Sequence, residues 1–289
     1  SAASDVYKRQ VLMILLYVPP VQNFLRKQAT AYASQATGMQ INVGRIDLRF
    51  PLNLLVRDVE VVQAPDTLLT LASLNVHVQA MPLFKGKIEV DDITIQRVAV
   101  NSANLIEGMQ IRGVLGRFFL ESHGVDLGNE LAVINRAELS DTHIGLILTD
   151  TTTTEKPDTA SAPVNWKVNL HALNLKNVSF SMQLPADSMR MAAHVGEATV
   201  NDVSADLKQQ FYGLRSFLLT GASVNYDTGN ALPAEGFDPS HIALRDIRIG
   251  IDSVLYQGRN MNAVIREFSM NERSGLSVTS LTGLSLIHI

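Results

Sequence analysis

The sequence predicts a mainly β protein: an apolar segment and one helix at the N-terminus, then an elongated, strongly curved sheet. Three observations carry that expectation. Beyond Gly38 nearly every segment alternates apolar and polar residues, the period of a strand that shows successive side chains to opposite faces. The alternation changes phase at a recurring Asp or Asn, as a strand that bends would require. And 289 residues that are 46% hydrophobic and 18% charged have enough apolar surface to fold, which argues against general disorder.

In chain order, the run VLMILLYV (11–18) follows Lys8-Arg9 and ends at Pro19-Pro20. It is shorter than the roughly 20 apolar residues a spanning helix needs. It could be a signal-peptide core, though no clear small-residue cleavage site follows, or a buried core segment. The abrupt polar start favours the exit half of a membrane helix, so 1–19 is expected to be a truncated anchor in which 1–10 is foreign sequence. The closing LSLIHI has the same look. Residues 20–38 then predict an amphipathic helix: Val21, Phe24, Leu25, Gln28, Ala29, Tyr32, Ala33 and Ala36 keep helical spacing. The prolines stand at its start and Gly38 at its cap.

Residues 39–289 predict the sheet. INVGRIDLRF (41–50), LASLNVHVQA (71–80), KIEVDDITIQRVAV (87–100), ELAVINRAELSDTHIGLILTD (130–150), NWKVNLHALNLKNVSFSM (165–182) and MNAVIREFSM (261–270) all alternate, between Gly, Pro, Asn and Asp boundaries. TDTTTTEKPDTASAP has almost nothing to bury, and 149–163 is expected to be a mobile surface loop inserted between like halves.

The stretch IALRDIRIGI (242–251) shows the phase change plainly: Ile242 and Leu244 are even, Ile247, Ile249 and Ile251 odd. The same pattern surrounds Asp58, Asp92, Asp141, Asn177 and Asp202, giving six expected bend positions with Asp246. Asp and Asn tolerate unusual backbone angles and bond to nearby backbone, so they suit a bulge or tight bend. Their irregular spacing excludes a strict solenoid.

Chemistry is absent from the pattern. There are no cysteines, which removes disulfides, thiolate metal sites and Cys nucleophiles. A net charge of -4 gives no nucleic-acid signal. No phosphate loop, nucleophile elbow or zinc-helix motif occurs. The dispersed histidines predict no metal site, the adjacent Asp91-Asp92 point to opposite faces and are poor partners for two-carboxylate catalysis, and no cofactor and no enzymatic activity are expected. Trp166, the single tryptophan, is expected to pack at a strand start. A sheet apolar on one side must cover that side or use it, and periodicity is the same in both cases.

The run YVPPVQNFLRKQATAYASQATGMQINVGRIDLRFPLNLLVRDVEVV, followed by PDTLLTLASLNVHVQAMPLFKGKIEVDDITIQRVAVN, resembles the N-terminal region of the AsmA-like superfamily, and within it the TamB branch. Gly38 before the first strand, Phe50-Pro51-Leu52 between strands and PLFKGKIEV (82–90) at a strand entry carry the likeness. NLIEGMQIRGVLGRFFLESHGVDL and EGFDPSHIALRDIRI extend it over residues 11–283. The resemblance implies a single-pass inner-membrane protein whose periplasmic sheet is a groove, apolar inside, serving outer-membrane biogenesis. It implies phospholipid acyl chains as ligand, with Ile93, Ile95, Val178, Phe180, Ile247 and Ile249 as groove candidates. Alternatively it implies a scaffold or chaperone that assists assembly of outer-membrane barrels with a TamA-type partner. TamB-type chains are far longer and meet that partner through a C-terminal domain not seen in this sequence, which therefore reads as an N-terminal fragment. A β-sandwich binding module of unrelated role is the third possibility.

Overall fold

A computed structural model describes residues 18–79, 82, 89–102, 105–126, 130–149, 165–258 and 260–288. The expected anchor and foreign residues at 1–17, most of the expected loop at 149–163 and the entry at 83–88 lie outside those described. No helix among the described residues is long and apolar enough to cross a membrane.

Helix α1 spans Pro19–Thr37, with prolines in its first turn and Gly38 at φ 70°, its amide bonded to the Ser34 carbonyl. Then come β1 (Gln40–Arg49), β2 (Asn53–Gln63), β3 (Asp66–Val78), β4 (Val90–Asn101), β5 (Met109–Asp126) and β6 (Leu131–Leu148). These are followed by β7 (Lys167–Leu184), β8 (Met189–Asp206), β9 (Phe211–Leu214), β10 (Ser216–Asp227), β11 (His241–Gln257), β12 (Asn260–Glu272) and β13 (Ser277–His288). All belong to one 13-stranded sheet, ordered by sequence. Neighbours are antiparallel except β6 and β7, which run parallel. Because β7 starts beside Leu131, the connection from β6 begins and ends at opposite ends of the sheet. β9 and β10 together act as one strand interrupted at Arg215, since both keep the same register against β8.

Among the described residues no second layer covers the sheet. The main contacts among described elements run between sheet neighbours and between α1 and β1. The buried apolar residues are Leu52, Leu55, Leu68 and Ile247 with five alanines, and no bulky side chain described is fully enclosed. Stability must come from the backbone ladder and from cross-strand side-chain pairs.

The strands bend together. Along one line across the sheet the ladder skips a single position on each strand without changing register: Gly44, Asp58, Ala72, Arg97, Gly116, Asp141, Asn177 and Gly196 on β1 to β8. Asp58, Arg97, Asp141 and Asn177 have φ between 51° and 53°, in the left-handed region. Further along, Gly221 at 62° and Asp246 at 52° continue the crease on β10 and β11. The skipped neighbours of the left-handed residues are mostly Gly or Ala, because the backbones close in there. A Cβ added at Gly116 would lie 2.6 Å from the Cβ of Asp141.

A second line passes through Asn135, His171, Asp202 and Arg215 on β6 to β10, where Asp202 has φ 49°. So five of the six bend positions expected from sequence are left-handed residues on one of two creases. Asp92 is the exception: it pairs regularly with His77, and Asp91 is the residue squeezed out of register between Asp92 and Val90. The true left-handed residue of β4 is Arg97. The phase change in VDDITI is therefore a one-residue bulge, which moves side-chain phase just as a left-handed residue does.

α1 docks on the edge of the sheet by its polar side. Gln22 Nε2 donates to the Leu48 carbonyl (2.8 Å), and an Arg26 guanidinium nitrogen donates to the carbonyls of Val43 (3.0 Å) and Gly44 (2.6 Å). The Ile41 amide donates to Ser34 Oγ at 3.0 Å. These are backbone groups that β1, as an edge strand, leaves without a ladder partner, so the helix both satisfies and blocks that edge. Phe24 and Tyr32, part of the expected apolar stripe, remain 60% and 75% exposed.

Candidate functional site

The feature that sets this sheet apart is the register of its apolar residues. One cross-strand row reads Ile46, Val56, Leu74, Ile95, Phe118, Leu139, Leu175, Ala198, Leu219, Ile249, Phe268, Leu281, without a polar member across twelve strands. The row two residues along each strand, or three on β12 where a bulge intervenes, is Leu48, Leu54, Val76, Ile93, Leu120, Ala137, Leu173, Val200, Phe217, Ile251, Ile265, ending at Gly283. Members of the two rows share a face, because side chains two apart on a strand do.

On the other side of the first crease the apolar rows resume three residues away. One contains Val43, Val59, Leu71, Val98, Leu115, Thr142, Val178 and Val195. The next contains Ile41, Val61, Leu69, Val100, Gly113, Ile144, Phe180 and Ala193. Thr142 is the polar intruder, and its hydroxyl is satisfied by the Ser140 carbonyl at 3.1 Å. Val114, in the neighbouring polar row, and Ile144 are both exposed. The sequence-derived candidates fall on these rows: Ile95 and Ile249 on the first, Ile93 on the second, Val178 and Phe180 on the two beyond the crease. Ile247 sits at the crease opposite Ala222 and is buried, so it closes the fold locally and offers little surface.

The intervening rows are polar and carry the charge. Arg117 pairs with Glu138 at 2.9 Å, and the Arg117 and Arg136 guanidinium groups sit 5.3 and 4.9 Å from the Phe119 ring centre. Arg248 pairs with Glu267 at 2.7 Å, which holds the carboxyl below its ordinary range. His77 bonds Asp92 (2.7 Å) between β3 and β4, and at the second crease His123 lies 2.7 Å from Asn135 and Asp202 is bracketed by His171 and Arg215. The His171 bond, then that of Arg215, lowers the Asp202 pKa. A cleft of about 320 Å³ lined by Gln79, Asp91, Asp92, Glu121, Ser122 and His123 opens there. Its polar groups are engaged, Gln79 with Asp91, Asp92 with His77, Glu121 with Arg136, Ser122 with the Val133 carbonyl and His123 with Asn135, and no group of metal-ligating side chains occurs among the described residues.

Between β10 and β11, Asp238 organises the loop by accepting the amides of Ala234 (3.0 Å) and Ser240 (2.9 Å) and pairing with His241 Nδ1 (2.9 Å). Those bonds bring its pKa down to about 2. Sequence reasoning missed this clamp, the crease at Arg97 and the bulge at Asp91. Only the small residues opposite each bend, Gly44, Ala72, Gly116 and Gly196, carried a readable signal.

Comparison with known proteins returns no matching family model and no matching curated protein.

Proposed function

We propose that this chain is a segment of a membrane-anchored, bridge-like conduit, which passes phospholipid along an apolar β-groove between two membranes. The carrying observation is the pair of apolar rows that run across the sheet with no layer over them among the described residues. The left-handed residues of each crease shift the side-chain alternation by one residue, which supports reading the rows on its two sides as one apolar face. The rows run perpendicular to the strands, at about 4.8 Å per strand, giving an apolar track of about 55 Å. Each acyl methylene buried there gains about 0.8 kcal/mol. Many interchangeable contacts then hold a chain weakly enough to let it slide. The N-terminal apolar run and the resemblance to TamB-type sequences support reading a membrane anchor and a periplasmic setting.

Photo-crosslinking tests the reading. Probes at Ile93, Ile95, Val178, Phe180 and Ile249 are expected to capture phospholipid in cells, while probes at the interleaved Thr94, Ser179 and Arg248 are not. Equal capture from both phases would refute it.

A further inference from the structure

We infer that α1 lies flat in the surface of a lipid bilayer, sandwiched between the headgroups and the first edge of the sheet. The inference rests on the membrane-anchored part of the proposed function and adds how the sheet stands on the membrane.

The helix is mounted in the opposite sense from an ordinary surface helix, which buries its apolar side against the protein. Gln22, Arg26 and Ser34, spaced by one and two turns, face the sheet and bond the edge of β1. The opposite side, which carries Phe24, Gln28, Tyr32 and Gln35, is exposed, whereas Lys27 lies on the flank and lines the cleft between the helix and the β1–β2 edge. Two aromatic rings on an uncovered helix side match the chemistry of the bilayer interface, where rings settle at headgroup depth. The occupant is indicated by the chain itself: the apolar run VLMILLYV ends at residue 18, and α1 begins at Pro19. A segment that leaves a membrane delivers this helix to its surface.

Phe24 and Tyr32 are eight residues apart, about 12 Å along the axis at 1.5 Å per residue. A helix standing upright could place only the nearer ring in the interface; a helix lying flat places both. With α1 flat, β1 is parallel to the membrane, and the apolar rows that start at Ile46 and Leu48 leave the bilayer at right angles. The track then begins at the membrane surface.

The test uses the full chain in vesicles of phosphatidylethanolamine and phosphatidylglycerol that contain brominated lipid, which quenches indole fluorescence at close range. Phe24→Trp and Tyr32→Trp are made separately in a Trp166→Phe background, with the unaltered chain reporting Trp166. Both introduced indoles are expected to be quenched about twofold more than Trp166, and to similar extents. Quenching at position 24 alone would overturn the flat arrangement; quenching at neither would overturn membrane contact and point to a protein partner on that side. Because both positions are exposed, far-ultraviolet circular dichroism is expected to be unchanged. A repeat with nitroxide labels at Gln28 and Gln35 gives the same decision without touching either ring. Quenching at both positions, with no lipid captured by groove probes, leaves this inference standing and removes the conduit. Groove capture without quenching does the reverse.

Discussion

Replacing Gly116 by Ala is the sharpest test of the first crease. Gly116 sits on β5 against the left-handed Asp141 of β6. An added Cβ would lie 2.6 Å from the Asp141 Cβ, 2.8 Å from its carbonyl oxygen and 3.0 Å from the Ser140 carbonyl oxygen. Ordinary contacts of this kind are about 3.5–4.0 Å. All three obstacles are backbone or a β-carbon, so none can swing aside. Either the two strands separate locally or the crease flattens, and overpacking of this sort costs about 1–3 kcal/mol. For a chain of this size that corresponds to a fall of roughly 2–12 °C in Tm. Gly145→Ala on the neighbouring strand is the control, because its added Cβ would meet the Ser181 hydroxyl at 3.2 Å, a group that can rotate away. Thermal unfolding of both variants, followed by circular dichroism at 218 nm or so, gives the comparison. Gly116→Ala is expected to melt well below Gly145→Ala. Coincident melting curves would refute the close approach and, with it, the physical account of the crease.

Other expectations follow from the same geometry. Asp141→Val and Asn177→Val should each cost about 1–3 kcal/mol by urea unfolding, since β-branched residues resist φ near 50°, whereas Asp141→Gly should stay within about 1 kcal/mol of the parent. Leu175→Asn, in the middle of the first apolar row, should cost less than about 2 kcal/mol because that face is uncovered; a loss nearer 4 kcal/mol would indicate a closed core. Arg26→Ala should raise hydrogen exchange in α1 and along the outer edge of β1 without altering exchange in β6 to β8, because its bonds reach only Val43 and Gly44. The Asp238 carboxyl titrates at about 2 when folded, below its ordinary 3.8. Its stabilisation of the β10–β11 loop is therefore complete above about pH 4 and lost as the pH falls toward 2, read by exchange of the Ala234 and Ser240 amides.

The sequence alone determined more of this protein than its lack of motifs suggests. Alternation depends only on which residues prefer water, so the strands were legible wherever one phase was apolar throughout. Phase changes at Asp58, Asp141, Asn177, Asp202 and Asp246 marked bends because a left-handed backbone selects for Asp and Asn locally. The helix was legible from its prolines and Gly38. At Arg97 the same backbone occurs without a local sequence reason, since pairing with Ala72 and Gly116 on either side imposes it. At Asp92 the reading was one residue late, because a bulge and a left-handed residue shift phase alike.

What only the tertiary structure decided is register. The row from Ile46 to Leu281 brings together residues that lie far apart in the chain, and no local rule sets one strand's offset against the next. Twelve strands aligned so that every member of the row is apolar is a collective property of the ladder. The helix orientation was decided in the same way: its stripe of apolar spacing was visible in the sequence, but the unpaired backbone of β1 drew the polar side inward.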